Sequence, residues 1–155
     1  MFTYVLYLFK EIPGKISFTQ DAWTSKNYLP YMAIRAHWIT MDWKQETTLL
    51  DLPHIDGSHD GPKFGKLFIK CLEKFGIPFP KRMAVTCDNA SSNDTFMTFL
   101  EQKSNSSVSS ETGRIRCLLH IMNLAVQDLL SSLDVPGAEE FEGADNEFRV
   151  IIFSK

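Results

Sequence analysis

Two short apolar runs, each ending in an aspartate, constrain this chain more than any other feature. The first is Ile16-Ser17-Phe18-Thr19-Gln20-Asp21-Ala22-Trp23-Thr24-Ser25, and the second is Met83-Ala84-Val85-Thr86-Cys87-Asp88-Asn89-Ala90. Side chains alternate across a strand, so Ile16 and Phe18 share one face while Ser17, Thr19 and Asp21 share the other. Between the runs, Phe64, Leu67, Phe68, Cys71, Leu72 and Phe75 recur at the spacing of one helix face. Strand, helix, strand implies a right-handed crossover and a parallel pairing. Side by side, the two strands would bring Asp21 and Asp88 to one edge of a sheet. Two converging carboxylates are a divalent-metal site in outline. Either Asp alone reads equally well as a turn residue or a helix cap.

The rest of the chain builds around these runs. Pro13-Gly14 marks a turn before the first strand. Tyr31 to Thr40 and Trp43 to Leu52 read as an antiparallel hairpin turning at Met41-Asp42. Pro53 to Pro62 reads as a loop. Gly76, Pro78 and Pro80 end the amphipathic helix. Ser91 or Ser92 is expected to cap a helix running through Phe96, Phe99 and Leu100. Lys103 to Gly113, rich in Ser and Asn, reads as a mobile loop. Arg114 to Leu119 reads as a short strand. Ile121 to Leu130 reads as a helix with Ile121, Met122, Ala125 and Leu129 on its buried side. Pro136-Gly137 and the acidic run after it read as a linker, and Val150 to Phe153 is an apolar cluster without an assigned partner.

Length sets one domain with room for a real core, and twelve Phe and three Trp supply its bulk. The net charge of -3 argues against an obligate nucleic-acid binder. That acidity is local. Asp134, Glu139, Glu140, Glu142, Asp145 and Glu147 cluster without a base among them, and the chain before them is close to neutral. The expected division is therefore a folded part, residues 1–133, and an acidic linker and tail, residues 134–155. Cys71, Cys87 and Cys117 are odd in number and widely spaced, so no disulfide framework can be drawn, and reduced thiols suit a cytosolic or nuclear protein. The apolar start, Met1 to Phe9, lacks a basic n-region and is too short to span a bilayer, so no membrane role is expected.

Three antiparallel strands, a helix, a parallel strand, a helix, a short strand and a helix make the order of the ribonuclease H-like α/β fold. The expected architecture is an incomplete mixed sheet of that kind, flanked by helices. Four segments then carry a sharper resemblance. Ile16 to Ser25 resembles the DxWTS segment of hAT-superfamily transposases. Asp42-Trp43-Lys44 and Gly57-Ser58-His59 resemble the segments that follow it there. Cys87 to Asn93 resembles the TxDNASNN segment, and Arg116-Cys117-Leu118-Leu119-His120-Ile121-Met122-Asn123-Leu124 resembles RCxxHxxNL. The four occur in the family's order from about Pro13 to Leu130.

The resemblance implies a core that cuts and joins DNA with two Asp and one Glu around Mg²⁺ or Mn²⁺, in the nucleus. Asp21 and Asp88 match the two Asp. The Glu lies far downstream in the family, and no Glu of this chain sits in a matching context. The expectation is therefore a fragment or host-adopted copy of a transposase core, with weak metal binding and no cleavage as this chain. The alternative is a non-catalytic module that binds nucleic acid or protein on the same fold. Implied partners are DNA, weakly, and a second copy or the remainder of a transposase. Cys117 and His120 have a CxxH spacing, but structural zinc needs four closed ligands, so packing at the strand-to-helix junction is the favoured role. Lys63, Lys66, Lys70 and Lys74 are either the solvated face of their helix or a phosphate-contacting stripe. Trp23 packs in the core or stacks on a base beside the metal.

Overall fold

A computed structural model describes Phe9, Ile12 and residues 14–133. The acidic run, the Val150 to Phe153 cluster and all of the apolar start except Phe9 lie outside the described residues. The chain divides into two compact units, Met1–Arg116 and Cys117–Lys155.

The first unit is a five-stranded sheet with helices on one face. Its elements are β1 (Ile16–Thr24), β2 (Pro30–Ile39), β3 (Gln45–Asp51), α1 (Gly61–Lys74), β4 (Arg82–Cys87), α2 (Ser91–Lys103) and β5 (Arg114–Arg116). The strand order is β3-β2-β1-β4-β5. β1, β2 and β3 are antiparallel neighbours, whereas β1–β4 and β4–β5 are parallel. This is the mixed sheet that the strand order implied.

Period-two alternation explains which face is covered. Ile16, Phe18 and Gln20 of β1 are buried, as are Met32, Ile34 and Ala36 of β2. The α1 stripe Phe64, Phe68, Cys71 and Leu72 meets them in one apolar core with Phe96, Met97 and Leu100 of α2. Three rings carry the contact through the layers: Phe18 packs edge-on against Phe68 at 5.3 Å, and Phe68 against Phe96 at 5.6 Å. α1 begins at Asp60, whose carboxylate accepts the Lys63 amide at 2.8 Å.

Several local expectations change. Trp43 is not in a strand. It sits in the β2–β3 turn with φ 61°, and Thr40 closes that turn through Asp42 at 2.6 Å and the Lys44 amide at 3.1 Å. β3 therefore starts at Gln45. Neither Ser91 nor Ser92 caps α2. Ala90 holds the cap position without a side-chain bond, since the helix already begins at Ser91 and alanine has no side-chain acceptor. The Ser/Asn-rich stretch is a run of hydrogen-bonded turns rather than an open loop. The Ser104 hydroxyl accepts the Val108 amide at 3.1 Å, Ser110 donates to Glu101 at 2.6 Å, and Val108 is buried. β5 stops at Arg116.

The second unit, over its described residues, is one helix, α3 (Leu118–Ser132), with Cys117 at its N-cap. The side chains expected on its buried side, Ile121, Met122, Ala125 and Leu129, are all exposed. Periodicity shows that a helix has an apolar face; it does not show that neighbouring residues cover it. Among the described residues no helix is long and apolar enough to cross a membrane.

Gly61 is where the two core helices come closest. A Cβ there would collide with the backbone of Thr95 and Phe96, which has no rotamer with which to yield. Gly61→Ala should therefore destabilise the fold by about 1–3 kcal/mol through overpacking, despite alanine's better helix propensity. Urea unfolding followed by far-UV circular dichroism measures this, and an unchanged midpoint would refute the close contact.

Candidate functional site

The candidate site lies around Asp21, in the second half of β1 on the face opposite the helices, and Asp88, just past the end of β4, so the two are not both at strand ends. Thr19 pairs with Thr86 in the parallel register. Asp21 and Asp88 each follow these paired threonines by two residues, Asp21 within β1 and Asp88 one residue past β4. Asp21 also lies opposite Ala33 of β2, a small neighbour. Asp21 has the parity of Thr19, not of the buried Phe18 and Gln20, so it faces away from α1 and α2. The strand carries on past Asp21 to Thr24, whereas Asp88 lies one residue beyond the end of β4.

Asp88 follows the last residue of β4 and is built into a turn. Its Oδ1 accepts the Ala90 amide at 3.0 Å and the Asn93 side-chain amide at 2.6 Å. Its backbone carbonyl accepts Arg114 Nη2 at 2.6 Å. Asn93 is buried at the start of α2, and Arg114 pairs through Nη1 with Asp94 on the same helical turn. Asn89 and Asn93 each keep a buried side-chain oxygen that no described donor meets. Hard oxygen donors beside a carboxylate suit a hard cation. Among the described residues no three His, Cys, Asp or Glu side chains group in a metal-holding arrangement. Two aspartates would match the way Mg²⁺ is held only where substrate phosphates complete its shell.

An aromatic row continues from the aspartates. Trp23, two residues beyond Asp21 on the same face, is half-buried and lies 6.2 Å from Tyr31, which packs edge-on against His54 at 5.6 Å. His54 is held by Asp56 at 2.7 Å. One step back on this face, Thr19 bonds His37 at 2.7 Å, and burial and then Arg35 lower the His37 pKa. The lysines stand elsewhere. Lys66, Lys70 and Lys74 are exposed on α1, off its buried stripe, and Lys63 is half-buried. α1 covers the face of β1 opposite Asp21, so this lysine row and the aspartates lie on different sides of the sheet. Cys117 and His120 begin α3, in the other unit.

Asn93 and Arg114 are the members of this site that the sequence reading did not single out. The signal for Asn93 was its place five residues after Asp88 at a helix start. Nothing local marked Arg114, which reaches Asp88 from a different strand.

With this geometry in view, similarity to known proteins decides the family. Residues 19–114 match the ZBED1 RNase-like domain. The chain belongs to that family. A Zea mays protein named as an AC transposase is 31% identical over 127 residues, covering 79% of this chain and 16% of the relative. A Talaromyces stipitatus protein named as the transcriptional regulator tpeD is 30% identical over 125 residues, covering 79% and 15%. The zinc finger BED domain-containing protein RICESLEEPER 2 of Oryza sativa is 25% identical over 134 residues, covering 83% and 18%. The chain thus spans less than a fifth of the length of each of these relatives. The hAT-type transposase relationship read from the four motifs stands, and so does the RNase H-like fold.

Cys87, next to Asp88, tests the electrostatics. Burial pushes its thiol up to about 11, against the pull of Arg114, and burial pushes Cys71 up to about 12. Unfolded thiols ionise near their ordinary value of 9.0. The stability contributed by keeping these two protonated is therefore present below that value and is lost as pH rises through about 11 to 12. At neutral pH a thiol reagent should label the half-buried Cys117 promptly, and Cys71 and Cys87 only on unfolding. Peptide mapping after a short pulse measures this, and early labelling of Cys87 would refute its burial.

Proposed function

We propose that this chain carries the two-aspartate part of a transposase catalytic core whose ancestral chemistry is metal-dependent DNA cleavage and strand transfer in the nucleus. The observation that carries the reading is the parallel β1–β4 register, which pairs Thr19 with Thr86, two residues before Asp21 and Asp88. The relative named as a transposase supports the reaction class.

In this reading Asp21 and Asp88 hold a divalent cation, Mg²⁺ or Mn²⁺. Such an ion, when bound, supplies Lewis-acid stabilisation of charge gathering on phosphodiester oxygens. The chain's own residues do the rest. The Ala90 amide and Asn93 fix one carboxylate oxygen of Asp88, so little reorganisation is needed when ligand arrives. The half-buried indole of Trp23 offers a base a stacking surface two residues from Asp21. The third carboxylate has no match in the sequence, so two carboxylates bind the ion weakly and the chain does not cleave. The net charge of -3 adds long-range repulsion of DNA.

A second reading is an interaction module that keeps the fold without the nuclease. It draws on the relative named as a transcriptional regulator.

Thermal melting separates the readings. Millimolar Mn²⁺ should raise Tm by about 1–3 °C through binding to the folded state, and Asp21→Asn or Asp88→Asn should abolish the rise. Supercoiled DNA should stay intact alongside. The same rise in both Asn variants would sink the metal site. Metal-dependent nicking that disappears in Asp88→Asn would show that a further acid completes it.

A further inference from the structure

We propose that Arg114 is a positioning residue for Asp88: its guanidinium sets the direction in which the Asp88 carboxylate meets a cation. The proposal rests on the metal reading of Asp21 and Asp88 and adds to it a residue on a different strand.

Three elements meet at Asp88. β4 ends there, α2 starts three residues later, and β5 runs alongside β4 with Val85 opposite Arg114. The Arg114 side chain is only 7% exposed and joins all three. Nη2 donates to the Asp88 carbonyl at 2.6 Å, and Nη1 pairs with Asp94 in the first turn of α2. Asn93, beside Asp94, holds the Asp88 carboxylate at 2.6 Å. One planar fork therefore fixes both the backbone that carries the carboxylate and the helical turn that aims it. A guanidinium presents these donors at a fixed spacing, which a lysine ammonium cannot reproduce. Asp94 is 64% exposed, so the ion pair itself is screened and adds little stability. Its consequence is geometric: it ties α2's first turn to β5. Groups that orient a metal ligand in this way commonly matter for affinity nearly as much as the ligands.

The test uses the full chain with Arg114→Lys and, as a variant less able to disturb folding, Asp94→Asn. The first readout needs no metal. Exchange of the Asn93 side-chain amide protons, followed by NMR, should accelerate about tenfold in Arg114→Lys, as expected when one hydrogen bond is released. The Phe18 backbone amide should not follow it. Asp94→Asn should give the same selectivity with smaller size. Uniform acceleration at both positions, or none, overturns the proposal, because a merely structural arginine loosens the whole domain. The second readout is the Mn²⁺ dissociation constant by calorimetry, expected to rise about tenfold or more in Arg114→Lys. An unchanged constant with a lowered Tm overturns the proposal. If the wild-type chain binds no Mn²⁺, the metal reading fails by itself, and with it the role toward a cation. The exchange result still decides whether Arg114 orients Asp88.

Discussion

The parallel register between β1 and β4 is the constraint on which the rest of the structure depends. It is set from the covered side of the sheet. Phe18 pairs with Val85, and both face the helices, where Phe68 and Phe96 complete an edge-to-face column. A slip of one residue would turn Phe18 out to the open face and Thr19 in. Burying a phenylalanine of this kind is worth about 2–3 kcal/mol, so the slipped state is strongly disfavoured. The same slip would carry Asp21 into the core. Packing on one face thus fixes the position of a carboxylate on the other.

The two aspartates are placed by different physics. Asp21 lies within a strand, and the ladder to β2 and β4 sets its direction. Asp88 lies just past a strand end, where no ladder holds it. A network of turn amide, Asn93 and Arg114 replaces the ladder there. Buried networks of this kind are costly when only partly satisfied. The unmet side-chain oxygens of Asn89 and Asn93 lie in this turn and not in the hydrophobic core.

What could be read in the sequence follows the range of the interaction involved. The strands, the α1 stripe and the crossover were legible because periodicity is a local signal that reports a shared face. The β2–β3 turn was misplaced by two residues because Trp43 takes a left-handed conformation that its type does not advertise. The cap of α2 was not legible because Ser91 and Ser92 are good caps by propensity, whereas the helix already begins at Ser91 and leaves Ala90 at the cap. The exposed apolar face of α3 was read as buried because amphipathicity says what a helix prefers, not what meets it. Asp21 and Asp88 could be picked out as a pair because both follow the same strand pattern. Arg114 could not, since its contact with Asp88 spans 26 residues and depends on β5 lying beside β4.

Strand parity also bears on how such a domain can change. Core and site share β1 residue by residue: Ile16, Phe18 and Gln20 are buried, while Thr19, Asp21 and Trp23 look the other way. The hydrophobic term that stabilises the sheet resides in the first set and scales with buried apolar area. The second set contributes little to it. Asp21 therefore stands outside the buried apolar set, and Asp88 is wired through Asn93 and Arg114 into α2 and β5. Substitution at Asp21 leaves the buried apolar set of β1 in place. Substitution at Asp88 disturbs the turn that joins three elements. Hydrophobic packing of its strand therefore constrains Asp21 by a different physics from the hydrogen-bonded turn that constrains Asp88.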